Sequence, residues 1–208
     1  MTTFTKQDFI KLMNAALAII EVEHDNLSKL DAATGDGDHG ITIRRTMKAV
    51  AKTANEQSEL PLAELTGAIA MQAMMCDGGS TSPLLGSYFM GFANAAPSDE
   101  LTADQTAAFF EAALANFYDF GKAEIGDKTM MDSLRPATET LAKELRAGAD
   151  LKAAFNAAGE AATVGAISTK QFVAKFGRAR TMGERAIGHQ DPGATSWMHI
   201  FKAFAEAI

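Results

Sequence analysis

Three aspartates within eight residues are the part of this sequence best suited to chemistry. Asp31, Asp36 and Asp38 lie in the segment Asp31-Ala-Ala-Thr-Gly-Asp-Gly-Asp-His-Gly40, called the acidic loop below. Its glycines allow positive-φ turns that fold such a segment back on itself. Carboxylates that converge in this way repel each other unless a cation lies between them. Hard oxygen ligands in this number suit Mg²⁺, which also takes oxygens from a phosphate, so the acidic loop predicts a magnesium site.

Two other interpretations of the acidic loop compete with a magnesium site. In the first, the loop is a solvated segment rich in aspartate and glycine whose charges never converge. In the second, it is a calcium-binding EF-hand loop, because Asp36-Gly-Asp38 resembles the start of one. We discard the EF-hand, since the position of its closing glutamate falls on Met47.

A second chemical segment is rich in glycine and hydroxyl groups. It is Asp77-Gly-Gly-Ser-Thr-Ser-Pro83, called the hydroxyl loop below. We expect Ser82 to cap a helix whose first residue is Pro83, because serine favours the cap and proline the first turn. The free N–H groups and the dipole of such a helix start attract phosphate. Taken alone, the segment fits a capped turn between two helices; beside a metal loop it predicts an anion site.

A third segment, Phe176–Gln190, contains three arginines and three glycines and has no clean period. Such a composition is unusual for a plain connector of this length. We therefore interpret it as a mobile flap, with Arg178 as a phosphate clamp, since guanidinium groups bind phosphate through paired hydrogen bonds. A disordered basic loop is the alternative.

The composition of the whole chain limits the class of protein. It has 208 residues, 47% of them hydrophobic, and a formal charge of −7, which argues against a nucleic-acid-binding surface. The single cysteine, Cys76, cannot form an intrachain disulfide and indicates a reducing compartment. No apolar stretch reaches the roughly 18 residues of a membrane span, and no secretory signal is apparent. We expect a cytoplasmic protein that binds neither nucleic acid nor membrane.

The elements that position these segments are predicted to be helices. Strand signals are nearly absent, whereas apolar residues recur at the helical period throughout. Eight helices with short loops predict an all-α fold with mostly antiparallel neighbours. Their expected ranges are about 5–30, 40–54, 61–76, 83–95, 102–123, 131–146 and 151–171, with a last helix entered at 191–196 and ending at 208.

This helix count places the unusual segments together. Glycine-rich segments follow the first, third, fifth and seventh helices, so in an up-and-down arrangement they share one rim. In the fifth helix we expect Thr102 to be the cap, and Phe109, Phe110, Phe117 and Phe120 to face the core.

Four motifs together resemble one family. They are Asp-Gly-Asp-His-Gly at 36–40, Gly-Gly-Ser-Thr at 78–81, Gly-Asp-Lys-Thr-Met at 126–130, and Gly-Glu-Arg-Ala-Ile-Gly-His-Gln-Asp-Pro-Gly-Ala at 183–194. In order and spacing they resemble the nucleotide-binding L subunits (DhaL) of dihydroxyacetone kinases, from about residue 5 to the end. The resemblance implies a single DhaL-type domain over 1–208, built as a closed barrel of eight antiparallel up-and-down helices.

The resemblance also implies a binding site. Asp31, Asp36 and Asp38 would be ligands of two Mg²⁺ ions, beside an adenine nucleotide, ADP or ATP, at one rim. The implied nucleotide contacts are His39, Gly40, Ile41, Thr42, Gly79, Ser80, Thr81, Gly121, Met130, Arg178, Asp191 and Gly193. The chain departs from the family at Ser82, usually a glycine, and at Leu85, often an aromatic residue. A side chain at 82 would crowd the phosphates or add a hydroxyl contact.

The implied chemistry is phosphoryl transfer to a triose or related ketose bound on a separate K-type subunit (DhaK-like). The protein's work in such a reaction is positioning and neutralising charge, and no residue here is assigned as a general base. Beside three carboxylates, His39 is expected to hydrogen-bond phosphate. Two phosphate sources stay open: bound ADP rephosphorylated by a DhaM-like protein of the phosphotransferase system, or freely exchanging ATP. The alternative to a kinase subunit is a non-catalytic regulatory module that binds a nucleotide.

Overall fold

A computed structural model describes residues 3–208, and this part of the chain is mainly helical. Its α-helices are α1 (Lys6–Ala32), α2 (His39–Glu56), α3 (Leu62–Met75), α4 (Thr81–Asn94), α5 (Ala103–Gly121), α6 (Met131–Arg146), α7 (Leu151–Ser168) and α8 (Pro192–Ala207). Two short 3₁₀ segments, Thr169–Gln171 and Arg178–Ala186, lie between α7 and α8. The all-α class predicted from the helical period is confirmed. Within residues 3–208, none of the helices is both long and apolar enough to cross a membrane.

The structure also contains two short strands that the sequence pattern did not predict. β1 (Thr3–Thr5) pairs antiparallel with β2 (Glu100–Thr102), with Phe4 opposite Leu101, and both of these side chains are fully buried. Three residues are too few to show the alternation that predicts a strand. Each strand ends in a threonine that closes a capping box on the next helix, as expected for Thr102 on α5.

Helices that are consecutive in the chain pack against each other, and α8 also packs against α1. Phe109, Phe110 and Phe117 of α5 are buried in the core between them, as predicted. Phe120 is 58% exposed, so its predicted core position is wrong. It lies in the last turn of α5, and the helical period identifies a face without showing how far the neighbouring helices extend.

The start of α4 also differs from the prediction. The helix begins at Thr81, and Ser80 rather than Ser82 occupies its N-cap position. Ser82 is fully buried in the first turn, and its hydroxyl lies 2.9 Å from the hydroxyl of Thr46 in α2. Pro83 is therefore the third residue of the helix and not, as predicted, the first. It is tolerated there because the N–H groups of the first turn have no partner within the helix.

Candidate functional site

The segments that follow α1, α3, α5 and α7 meet at a cavity of about 250 Å³. The lining residues are Asp31, Thr34, Asp36, Asp38, His39, Thr42, Gly78, Gly79, Ser80, Thr81, Leu84, Lys128, Thr129, Met130, Phe176, Gly177, Arg178, Ala179, Asp191, Pro192 and Gly193. The prediction that the four segments share one rim is therefore confirmed.

The acidic loop brings its three carboxylates together. One oxygen from each of Asp31, Asp36 and Asp38 lies within 4.8 Å of the other two. The loop can fold this tightly because Gly37 has a positive φ of 79° and because a Cβ at Gly35 would lie 2.5 Å from Oδ1 of Asp31. The alternative in which these charges never converge is thus wrong.

The charge balance of this cluster favours a cation. Burial, together with the negative charges of Asp36 and Asp31, raises the pKa of Asp38 above its ordinary value. The guanidinium of Arg178 reaches across the cavity and pairs with Oδ2 of Asp36 at 2.8 Å. Three converging carboxylates are hard oxygen donors, so the residues present fit Mg²⁺.

His39 begins α2 at the edge of the acidic loop. Its backbone N–H donates to Oδ2 of Asp31 at 3.2 Å, and its Nε2 lies 3.3 Å from the hydroxyl of Ser196 in α8. Burial of the ring lowers the pKa of His39 to about 4, so the imidazole is neutral at physiological pH. His39 can therefore contribute a neutral hydrogen-bonding group to the cavity, but not a positive charge.

The hydroxyl loop also lines the cavity and leads into α4. Gly79 has a positive φ of 56°, and a Cβ at Gly78 would lie 2.0 Å from the Ser82 hydroxyl. Ser80 and Thr81 line the cavity at the helix N-terminus, where N–H groups attract anions. Ser82 does not line the cavity, so its hydroxyl neither crowds nor extends this surface.

Residues just before α6 and at the start of α8 also line the cavity. Asp191 caps α8 and accepts the N–H of Ala194 at 2.7 Å. Burial of this carboxyl raises the pKa of Asp191 to about 7. A Cβ at Gly193 would lie 2.6 Å from Cγ of Met130, so glycine is needed for these two elements to approach.

The flap contributes one of its three arginines to the cavity. Gly177 has a positive φ of 62° and turns the chain so that Arg178 lines the cavity, whereas Arg180 and Arg185 do not. Within the flap, Arg178–Ala186 forms a 3₁₀ segment with a break at Gly183, where φ is 56° and ψ is −132°. Its mobility stays a prediction.

Three of the implied nucleotide contacts do not line the cavity. A Cβ at Gly40 would lie 1.8 Å from the carbonyl oxygen of His24, so this glycine lets α1 and α2 approach closely. Ile41 is 54% exposed. Gly121 lies behind Leu84, because a Cβ there would come 3.0 Å from its side chain. Their roles as nucleotide contacts stay predictions.

The most important residue that the sequence analysis did not assign is Lys128. It lines the cavity although only 2% of it is exposed, and its φ is +60°. It lies in the Gly-Asp-Lys-Thr-Met motif, so its place in a cavity segment could have been noticed. Its burial and left-handed backbone have no sequence signal, because residues other than glycine rarely adopt that conformation.

Comparisons with known proteins place the chain in a family. The sequence matches the DAK2 domain over residues 33–206. A Listeria innocua protein named PEP-dependent dihydroxyacetone kinase 2, ADP-binding subunit DhaL, is 40% identical over 185 residues, 87% of this chain and 85% of that one. The Escherichia coli protein named PEP-dependent dihydroxyacetone kinase, ADP-binding subunit DhaL, is 34% identical over 190 residues, 91% of this chain and 90% of that one.

A solved structure has a similar fold. It is the dihydroxyacetone kinase from C. freundii in complex with AMP-PNP and Mg²⁺. The TM-score is 0.72 at 29% sequence identity, with 96% of this chain matched. The match covers 33% of the kinase, so the present chain spans about one third of that longer protein.

Proposed function

The chain belongs to the DAK2 domain family, and from this premise we propose that it is the nucleotide-binding subunit of a dihydroxyacetone kinase. The observation that carries the proposal is the meeting of three carboxylates and a hydroxyl-rich helix N-terminus in one cavity. A diphosphate or triphosphate fits both features. Its negative charge suits the helix N-terminus, and its oxygens can bind a metal ion held by the carboxylates.

We assign Asp31, Asp36 and Asp38 as the residues that would hold two Mg²⁺ ions. When bound, such ions would offset the negative charge that develops on the phosphates during phosphoryl transfer. The E. coli relative's name, ADP-binding subunit, and the C. freundii complex with AMP-PNP and Mg²⁺ both support an adenine nucleotide here.

The other cavity residues would position the phosphates. Ser80 and Thr81 present hydroxyls and backbone N–H groups where the α4 dipole also attracts negative charge. The guanidinium of Arg178 already faces the cavity and can exchange its Asp36 contact for a phosphate oxygen. The neutral His39 can share a hydrogen bond with phosphate. Gly121, Gly40 and Ile41 are assigned to the nucleotide envelope by the family resemblance.

The acceptor ketose would be carried by a separate K-type subunit. Exposed large hydrophobic side chains support a docking surface around the cavity. Among residues 3–208, all of these except Val22 lie within, or within five residues of, the segments that follow α1, α3, α5 and α7 and meet at the cavity: Ile41, Met71, Met74, Met75, Phe120, Ile125, Val164, Ile167, Val173, Phe176 and Ile187. An apolar surface of this kind is typical of a protein interface. We call this set the apolar rim.

We propose that bound ADP is rephosphorylated in place by a DhaM-like protein of the phosphotransferase system. The names of the Listeria innocua and E. coli relatives, both PEP-dependent, support a source of phosphate other than free ATP. An ATP-exchanging subunit for a related ketose is the alternative. The proposal also includes one domain over 1–208 in the cytoplasm, folded as a closed helical barrel. Packing of α8 against α1 supports the closure.

Native mass spectrometry of the purified protein tests the nucleotide assignment, with expected retention of ADP and Mg²⁺ and their loss in Asp36→Ala. Reconstitution with a K-type subunit and a DhaM-like protein then tests the reaction. Turnover of dihydroxyacetone with phosphoenolpyruvate, without added ATP, is the expected result. Turnover only with ATP would favour the exchanging version. Tight ADP binding without turnover on any K-type subunit would favour a regulatory module.

A further inference from the structure

The segment between α7 and α8, which contains the flap, leaves and re-enters the helical body at one narrow place. The hydroxyl of Thr169 accepts the backbone N–H of Asp191 at 2.9 Å. The N–H of Gly188 donates to the carbonyl of Lys170 at 2.7 Å. We call these residues, together with His189, the neck. The neck fixes where the flap begins and ends, and therefore from which direction it approaches the cavity.

A buried lysine from another part of the chain joins the two sides of this neck. The ammonium of Lys128 donates hydrogen bonds to the carbonyls of Thr169 and His189, which lie on opposite sides of the neck. Lys128 belongs to the loop between α5 and α6 and is only 2% exposed. Burying an ammonium group is costly unless it is hydrogen-bonded and neutralised, so this arrangement requires compensation from its surroundings.

The groups around Lys128 provide that compensation. The carboxylates of Asp132 and Asp191 are its nearby opposite charges. Asp132 is held in place by the backbone N–H groups of Gly126 at 2.6 Å and Thr129 at 2.8 Å. The positive φ of Lys128 is costly for a residue with a side chain, and such outliers concentrate at functional sites.

Asp127, the residue before Lys128, contacts the chain just before the flap. The carbonyl of Asp127 accepts the N–H of Lys175 at 3.1 Å, and its carboxylate pairs with the Lys175 ammonium at 2.6 Å. Lys175 directly precedes the flap. The dipeptide 127–128 therefore contacts the chain just before the flap and at the neck, while Arg178 at the flap's start contacts Asp36.

From these contacts we propose that Lys128 is a positioning residue whose ammonium ties together the two sides of the neck and so holds Arg178 over the acidic loop. Its effect on phosphate binding is exerted through Arg178, and this part of the inference rests on the proposed function. The position of the flap itself does not depend on that function.

Limited proteolysis of the nucleotide-free protein tests the neck directly. The flap contains three trypsin sites, Arg178, Arg180 and Arg185. We expect Lys128→Met to increase cleavage at these sites about tenfold, the size of effect typical of losing hydrogen bonds from a charged donor. The matched control is Lys170→Met, at an exposed neck lysine, and it should not change the rate. Equal cleavage of the two variants would overturn the proposal.

A double-mutant cycle tests whether Lys128 acts through Arg178. Lys128→Met should weaken Mg·ADP binding about tenfold in the wild-type background and have almost no effect in Arg178→Ala. Equal losses in both backgrounds would overturn the positioning role. A wild-type protein without Mg·ADP affinity would instead refute the proposed function and leave the proteolysis result valid. If circular dichroism shows that Lys128→Met is unfolded, Lys128→Gly takes its place in both comparisons, because it suits the positive φ at this position and also removes the ammonium.

Discussion

Removing one carboxylate from the acidic loop should stabilise the metal-free protein while it abolishes tight nucleotide binding. Asp38 is the residue to change, because burial and the charges of Asp36 and Asp31 all raise its pKa. Asp38→Asn keeps the size of the side chain and removes the charge. The control is Asp25→Asn, at a carboxylate that is 81% exposed in α1 and does not belong to the cluster.

The separation of the carboxylates sets the size of the effect. Two unit charges 4.8 Å apart repel by about 0.9 kcal/mol in water and by about 3.5 kcal/mol at an effective dielectric constant near 20. Asp36 and Asp38 are exposed, so the lower value applies. Asp38→Asn removes two such repulsions, offset in part by the lost attraction to Arg178, so we expect a gain of about 1–2 kcal/mol. For a protein of this size that corresponds to a rise in Tm of about 2–8 °C.

The gain should depend on pH in a defined direction. The pKa of Asp38 is higher in the folded protein than in the unfolded chain, so folding is penalised only where the carboxyl ionises. The penalty is absent below about pH 4, the unfolded value, and is complete above the folded pKa. The advantage of Asp38→Asn in EDTA should therefore be absent below about pH 4 and should grow as the pH rises above it.

Nucleotide affinity should change in the opposite direction to stability: in calorimetry, Asp38→Asn should bind Mg·ADP more weakly than the wild-type protein does. We expect at least a hundredfold loss of affinity, because even residues that only support metal ligands are typically worth about 10–100-fold. Differential scanning fluorimetry in EDTA measures the stability. The reasoning would be refuted if Asp38→Asn gained no more stability than Asp25→Asn, or if its Mg·ADP affinity were unchanged.

Three further predictions follow from the flap, the α8 cap and the apolar rim. Arg178→Ala should weaken Mg·ADP binding in calorimetry about tenfold more than Arg180→Ala, because only the first lines the cavity; equal effects would indicate a diffuse basic surface. Asp191→Asn should raise the Tm of the metal-free protein at pH 8 but not near pH 4, because burial outweighs the attraction of Lys128 and raises the pKa of this carboxyl to about 7, so that ionisation above that value still opposes folding. A Tm difference that is the same at both pH values would contradict this. Replacing Met71 and Met75, 53% and 75% exposed, with aspartate should weaken binding of a K-type subunit in a pull-down and leave Mg·ADP affinity intact; unchanged capture would exclude this part of the rim.

Local patterns were enough to predict most of the helical architecture. The range 131–146 matches α6 at both ends, and Thr102 caps α5 as expected. Errors arose where a boundary depends on non-local contacts. The seventh helix was expected to continue to 171, yet the α-helix ends at Ser168 and a 3₁₀ turn follows it. The two strands are paired across almost a hundred residues, which no local period can show.

The sequence by itself determined the residue types of the site and their association with one family. Carboxylates between glycines, hydroxyls before a helix and an arginine in an irregular segment are local features, and each carries its chemistry in its residue types. Only the tertiary structure decided that the three carboxylates converge within 4.8 Å, that Ser82 turns away from the cavity, and that Lys128 joins the neck. These facts depend on helix packing and on the compensation of buried charge. Both are set by residues far apart in the chain, so they leave no local pattern.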